Sequence, residues 1–185
     1  MKKKLFLVAN EKVFKKNKNF YCSNYDEKSI PEGLNKLFDL TYIVRNTKKF
    51  GTSKINLKKI IVSNNILAFF ISIIKTLKHK DSNYLLVSIS PITFLSFLIL
   101  FFSRKKIFVY LRSSGHEEYK YIFGSWSTWI YNFMFKIVTK GSKVIVCDKR
   151  LYNGKCFIVL PSKIDKKWLS SKKSPNLNKI NYLYV

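Results

Sequence analysis

The sequence predicts an α/β chain whose parallel sheet carries helices on both faces. Three observations point there. From residue 64 onward, strand-like and helix-like segments alternate. The strand-like runs, such as Tyr84-Leu85-Leu86-Val87, are continuously apolar rather than alternating, as a sheet buried on both faces requires. Apolar residues make up 47% and aromatics 16% of the 185 residues, which excludes a disordered basic tail and supplies a core.

Each element follows from local pattern. Leu5-Phe6-Leu7-Val8-Ala9 predicts a short buried strand. It follows Lys2-Lys3-Lys4, but five apolar residues fall short of the roughly 7–15 of a secretory core segment. Residues 10–36 read as polar, with Pro31-Glu32-Gly33 as a turn. Leu40-Thr41-Tyr42-Ile43-Val44 predicts a second strand, and residues 45–59 a Lys/Asn-rich loop around Gly51. From Asn64 to Leu77, Ile66, Leu67, Phe69, Phe70, Ile73, Ile74 and Leu77 recur at helical spacing. Cations at Lys75, Lys78 and Lys80, with His79, suit that helix's C-terminal dipole.

Tyr84 to Ser90 predicts the next strand, and Pro91 suits the first turn of a helix over Ile92–Phe102. Ile107-Phe108-Val109-Tyr110-Leu111 is another strand, followed by a loop over 112–118. Ser125 to Thr139 predicts a helix with Trp126, Trp129, Ile130, Phe133, Ile137 and Val138 inward and Gly141 as its cap. Strands follow over Lys143–Cys147 and Cys156–Leu160. Residues 162–179 read as a linker, and Ile180–Val185 as one more strand.

The net charge is +25, but 31 of the 35 basic residues are lysine and only Arg45, Arg104, Arg112 and Arg150 are arginine. Base and phosphate readers lean on arginine's bidentate fork, so this composition disfavours nucleic acid. Lys, Asn, Ile, Phe and Tyr supply 93 residues, the mark of an A+T-rich coding sequence. What remains as a hint is attraction to an anionic membrane face or a phosphorylated substrate. Residues 84–102 approach a bilayer-spanning length, but Ser88, Ser90, Pro91, Thr93 and Ser96 interrupt them. Cys22, Cys147 and Cys156 have no metal-ligand spacing, so no metal site is expected, and the last two read as core thiols.

No phosphate loop, dinucleotide fingerprint, zinc helix or nucleophile elbow occurs. Two places could carry chemistry. In an open parallel sheet, ligands bind beyond the carboxyl ends of strands. Arg112, Ser113, Ser114, His116, Glu117 and Glu118 fall there, after the strand 107–111. Arg112 could grip a phosphate or carboxylate, and His116 could accept a proton near neutral pH; the plain alternative is a solvated loop. Ser88-Ile89-Ser90-Pro91 could bind an anion at a helix N-terminus, or Ser90 could simply cap that helix. The aromatics of 126–135 could form a lipid or acceptor groove, or core.

The order of these elements, with Phe157-Ile158-Val159-Leu160-Pro161-Ser162-Lys163-Ile164-Asp165 and then Ile180-Asn181-Tyr182-Leu183-Tyr184-Val185, resembles the N-terminal half of a GT-B glycosyltransferase of the family 4 type. That family's Asn-Gly is Ser162-Lys163 here, and Ala9-Asn10-Glu11-Lys12 stands where its glycine-rich loop would be. No glutamate follows Glu118, so its Glu-x7-Glu donor motif is absent.

The resemblance implies a Rossmann-like N-terminal domain over 1–165, a linker over 166–179, and over 180–185 the first strand of a missing donor-binding domain. It implies transfer of a sugar from a nucleotide-sugar to a surface polysaccharide or lipid-linked acceptor, without metal or cofactor, in the cytoplasm or peripherally on the inner face of the membrane. The chain alone would be inactive. His116 would be the catalytic residue, with Arg112, Ser113, Ser114, Glu117 and Ser90 binding acceptor or phosphate. The competing expectation is a basic α/β module that binds nucleic acid or anionic membrane without catalysis.

Overall fold

Seven parallel strands form the centre of the molecule, in the order β5–β3–β1–β6–β7–β8–β9. They are β1 (Lys4–Lys16), β3 (Asp39–Asn46), β5 (Ile60–Ser63), β6 (Asn83–Val87), β7 (Lys106–Leu111), β8 (Lys143–Val146) and β9 (Cys156–Ile158). The structure is a computed structural model that describes residues 2–17 and 19–159. The sequence's end of the last strand at Leu160, the Pro161–Asp165 segment, the linker at 166–179 and the strand at 180–185 lie outside the described residues.

The chain steps outward from β1 to β3 and β5, then returns to the other side of β1 with β6. This order makes the β1/β6 boundary the point where a doubly wound sheet opens a crevice at its carboxyl edge. Helix α1 (Tyr25–Leu37) covers one face of the sheet, with Ile30 and Leu34 against Leu5, Leu7, Tyr42 and Val44. Helices α2 (Ile66–Thr76), α3 (Pro91–Phe102) and α5 (Ser127–Gly141) cover the other, over Phe6, Val8, Leu86 and Val109. The fold is Rossmann-like, α/β with helices on both faces of a mostly parallel sheet.

Several local expectations are corrected. β1 does not stop at Ala9. After a register shift it stays parallel to β3 through Lys12↔Arg45 and Val13↔Asn46, and its last residues, Phe14 to Lys16, pair antiparallel with β2 (Asn19–Cys22), matching Phe14 to Tyr21. β2 in turn pairs with β4 (Ser53–Ile55), inside the stretch read as loop. Pro31-Glu32-Gly33 is not a turn but the middle of α1. An internal proline removes a ladder hydrogen bond. The helix persists because Asn24 caps it, Asp26 and Glu27 suit its N-terminal dipole, and Pro31 is itself buried against the sheet.

The loop after β7 is shorter than expected: α4 (Gly115–Phe123) begins at Gly115 and ends at Gly124. Gly141 lies inside α5, and Ser142 closes that helix. The inward face of α5 is Tyr131, Met134 and Val138, whereas Trp126, Trp129 and Phe133 are exposed. Cys147 and Cys156 are half-buried rather than core. The apolar stretch 84–102 is divided between β6 and α3, and no helix among the described residues is long and apolar enough to cross a membrane.

Candidate functional site

A cavity of about 660 Å³ opens at the carboxyl edge of β7 and β8. Ser113, Ser114, His116 and Glu117 line one side. Asp148, Arg150, Tyr152, Asn153 and Gly154, from the segment after β8, line the other, and Tyr131 and Phe135 of α5 stand between them. The parallel sheet explains this convergence: β7 and β8 are paired from Phe108↔Lys143 to Leu111↔Val146, so their following segments leave side by side.

Each side chain is held by a local device. Ser114 is the N-cap of α4, its Oγ accepting from the Glu117 backbone N–H at 3.5 Å. Gly115 follows because a Cβ there would lie 2.2 Å from Cζ of Tyr131, and the buried Tyr131 ring would have to move to admit it. This close approach lets the first turn of α4 rest on α5. It sets the His116 ring edge-on to Tyr131 at 4.6 Å and to Phe135 at 5.1 Å. Phe135 also meets Tyr152 edge-on at 5.9 Å. Burial, followed by the charge of Glu118, raises the Tyr131 phenol, so it remains a neutral donor.

Asp148 and Arg150 form the polar rim. Arg150 donates through Nη2 to Asp148 Oδ2 at 2.5 Å and through Nε at 2.9 Å. Hydrogen bonding from Arg150 holds the Asp148 carboxyl below its ordinary value, so it is ionised at neutral pH. Both are solvent-facing, Arg150 being 90% exposed, so the pair orients donors and acceptors at the rim and adds little stability.

Arg112 and Ser90 are placed elsewhere. Arg112 lies on the α1 side, where Nη2 is 2.8 Å from Glu11 Oε1. Tyr42 donates its hydroxyl to Glu11 Oε2. Glu27 of α1 belongs to the same cluster: burial, then the Glu11 charge, pushes its carboxyl up to about 7. Ser90 caps α3 in a reciprocal box with Thr93: Thr93 N–H donates to Ser90 Oγ at 3.3 Å and Ser90 N–H to Thr93 Oγ1 at 2.8 Å. The structure therefore brings four of the six expected residues into one cavity and commits the other two to structural bonds.

No family model, curated protein or solved structure matches this chain. The site stands on its geometry alone. Asp148, Arg150, Tyr152 and Asn153 carry no motif, yet they lie just beyond a strand's carboxyl end, the same position that singled out Ser113–Glu117. Glu11 and Glu27 lay in a stretch read only as polar. No group of three or more His, Cys, Asp or Glu among the described residues could hold a metal ion.

Proposed function

We propose that this chain is the acceptor-side portion of a GT-B-like glycosyltransferase, moving a sugar from a nucleotide-sugar to a surface glycan or lipid-linked acceptor. One observation carries the reading. An imidazole, hydroxyls, a carboxylate and aromatic rings share one cavity at the carboxyl edge of a Rossmann-like sheet. Sugar rings are recognised by that mixture: hydroxyl groups need paired donors and acceptors, and the flat C–H faces need aromatic surface.

In this reading Tyr152 and Phe135, in contact with each other, form one aromatic wall against which the acceptor ring packs, and Ser113, Ser114, Glu117 and Asn153 meet its hydroxyls. His116 accepts the proton of the acceptor hydroxyl as that oxygen bonds to the anomeric carbon of the donor. The bond from that carbon to the leaving phosphate breaks, and the nucleotide diphosphate departs with the electron pair. A nucleotide-binding counterpart to this domain holds the donor.

Ligand-observed NMR and calorimetry of the chain, against soluble di- and trisaccharides and nucleotide-sugars, test the proposal. At least one saccharide binds, and His116→Ala and Tyr152→Ala each weaken it by about tenfold or more, the loss of roughly 1–2 kcal/mol of contact. A chain that ignores every sugar but binds duplex DNA with a steep salt slope would instead be the basic binding module.

A further inference from the structure

We infer that the α2–α3–α5 face docks on an anionic membrane, with a basic cavity at the foot of α2 receiving a lipid headgroup phosphate. The inference is independent of the sugar-transfer reading, because it uses none of that cavity's residues.

The first support is outward apolar surface. Leu67 and Ile74 on α2, Leu95 and Phe102 on α3, and Trp129 and Phe133 on α5 are all exposed, with Leu67 and Trp129 at 74% and Phe102 at 79%. α3 packs against both α2 and α5, so these side chains belong to one continuous layer. Single exposed apolar residues are ordinary, but a face contributed by three adjacent helices marks an interaction surface. A furrow between α2 and α3, lined only by Phe70, Leu95, Leu98, Ile99 and Phe102, runs within it.

The second support is charge. None of the three helices contains an aspartate or glutamate. Lys75, Lys136 and Lys140 lie within them, and Lys78, Lys80, Arg104 and Lys105 follow their C-termini. None of these seven cations takes part in an ion pair among the described residues. Because each helix runs back to the start of a parallel strand, the C-termini of α2, α3 and α5 gather at the edge where β6, β7 and β8 begin. The cations therefore form a band along one end of the apolar face. The sugar cavity lies at the opposite, carboxyl edge and stays open.

The third support is a cavity of about 430 Å³ within that band, lined by Lys4, Lys59, Lys75, Lys78, His79 and Thr41, with Ser72 and Thr76, whose hydroxyls are held by carbonyls of their own helix. Lys59 is engaged by Asp39 at 2.6 Å. Lys4 Nζ lies 3.2 Å from His79 Nε2. Desolvation, then the charges of Lys4, Lys78 and Lys105, lowers the proton affinity of His79. Ammonium groups around a small cavity suit a phosphate monoanion.

Charge complementarity selects the occupant. A second copy would set one cationic band against another, and nucleic acid offers no partner for exposed Leu, Ile and Phe. An anionic bilayer surface accepts both groups, lysines at the headgroups and aromatics at the interface.

Co-sedimentation with vesicles of phosphatidylcholine, and of phosphatidylcholine with about one-third phosphatidylglycerol, tests this. The full chain partitions onto the second and not the first. Lys75→Ala/Lys78→Ala and, separately, Leu67→Ser/Phe102→Ser each lower partitioning by about tenfold or more, with unchanged melting temperatures. Inorganic phosphate is the second arm: if it shifts the His79 imidazole resonances while the vesicles stay unbound, the cavity is an anion site and the membrane assignment is wrong. Equal binding to both vesicle types, or a dimer abolished by Leu67→Ser/Phe102→Ser, overturns it as well.

Discussion

The two faces of the sheet place their charge in opposite ways. The α1 face turns charge inward. Glu11, only 13% exposed, binds Arg112 and Tyr42, with Glu27 close by. Asp26 and Glu32 lie on the same helix, and Glu32 accepts the Asn56 N–H at 2.7 Å. The α2–α3–α5 face turns apolar surface outward, and the three helices themselves contain no acid. A buried ion pair is a poor source of stability but a demanding geometric constraint. An exposed apolar face gains nothing until something covers it. One face reads as internal architecture, the other as contact surface.

The largest expected effect separates the two sides of a single helix. Phe69 of α2 is fully buried, and Phe69→Ala should cost about 3–5 kcal/mol through lost transfer energy and a residual cavity. Leu67, two positions away and 74% exposed, should change stability by no more than about 0.5 kcal/mol when replaced by Ser. Urea unfolding of both variants measures this. A Leu67→Ser cost as large as that of Phe69→Ala would place the outward face in the core and break the comparison.

The next effect lies on the α1 face and is read through pH. The Glu27 carboxyl ionises at about 7 when folded, against an ordinary value near 4.5. Because the folded value is raised, the folded state holds a proton that the unfolded chain has already released between these values. Stability from this group is fully present below about pH 4.5 and declines as pH rises through 7. Glu27 is half-buried, so solvent screening reduces the effect to about 1–2 kcal/mol. Glu27→Gln removes the decline and stabilises the chain at pH 8. Thermal melts from pH 4 to 8 that fall equally in both proteins would assign the slope to other groups.

How much was legible follows from the same contrast. The parallel strands were legible because continuous apolar runs, bounded by polar residues, have one economical reading. Helix faces were not. α2 is apolar nearly all round, and α5 carries aromatics on both its exposed and its buried sides, so spacing cannot say whether Trp129 or Tyr131 points inward; only the sheet beneath decides. α1 was hidden because Pro31 and Gly33 signal a turn locally, whereas packing on the sheet overrides that signal. β2 and β4, at four and three residues, exist only through pairing with the last residues of β1 and with each other. In the site, Ser113, Ser114, His116 and Glu117 were legible from their place after a strand. Asp148–Gly154 would have followed from the same rule applied to β8. The Glu11–Arg112 pair was not legible, since its partners are far apart in sequence and meet only through the strand order.

The smallest effect tests whether Ser90 serves the fold or the site. Its hydroxyl and backbone are engaged with Thr93, whose Oγ1 also donates to the Ser88 carbonyl at 3.0 Å. Ser88 itself sits at a φ of 59°, in the left-handed region, so the cap also fixes a strained link between β6 and α3. Ser90→Ala should therefore cost about 1 kcal/mol of stability. Asn24→Ala on α1, where the Asp26 N–H loses its acceptor, Asn24 Oδ1, at an exposed terminus, should cost less. Neither change should alter saccharide or vesicle binding, because both contacts close within their own helix termini. If Ser90→Ala left the unfolding midpoint unchanged and abolished ligand binding, Ser90 would be a site residue. The cavity would then extend from the β7–β8 edge towards the β1/β6 boundary, and the division into an architectural face and a contact face would need a third region between them.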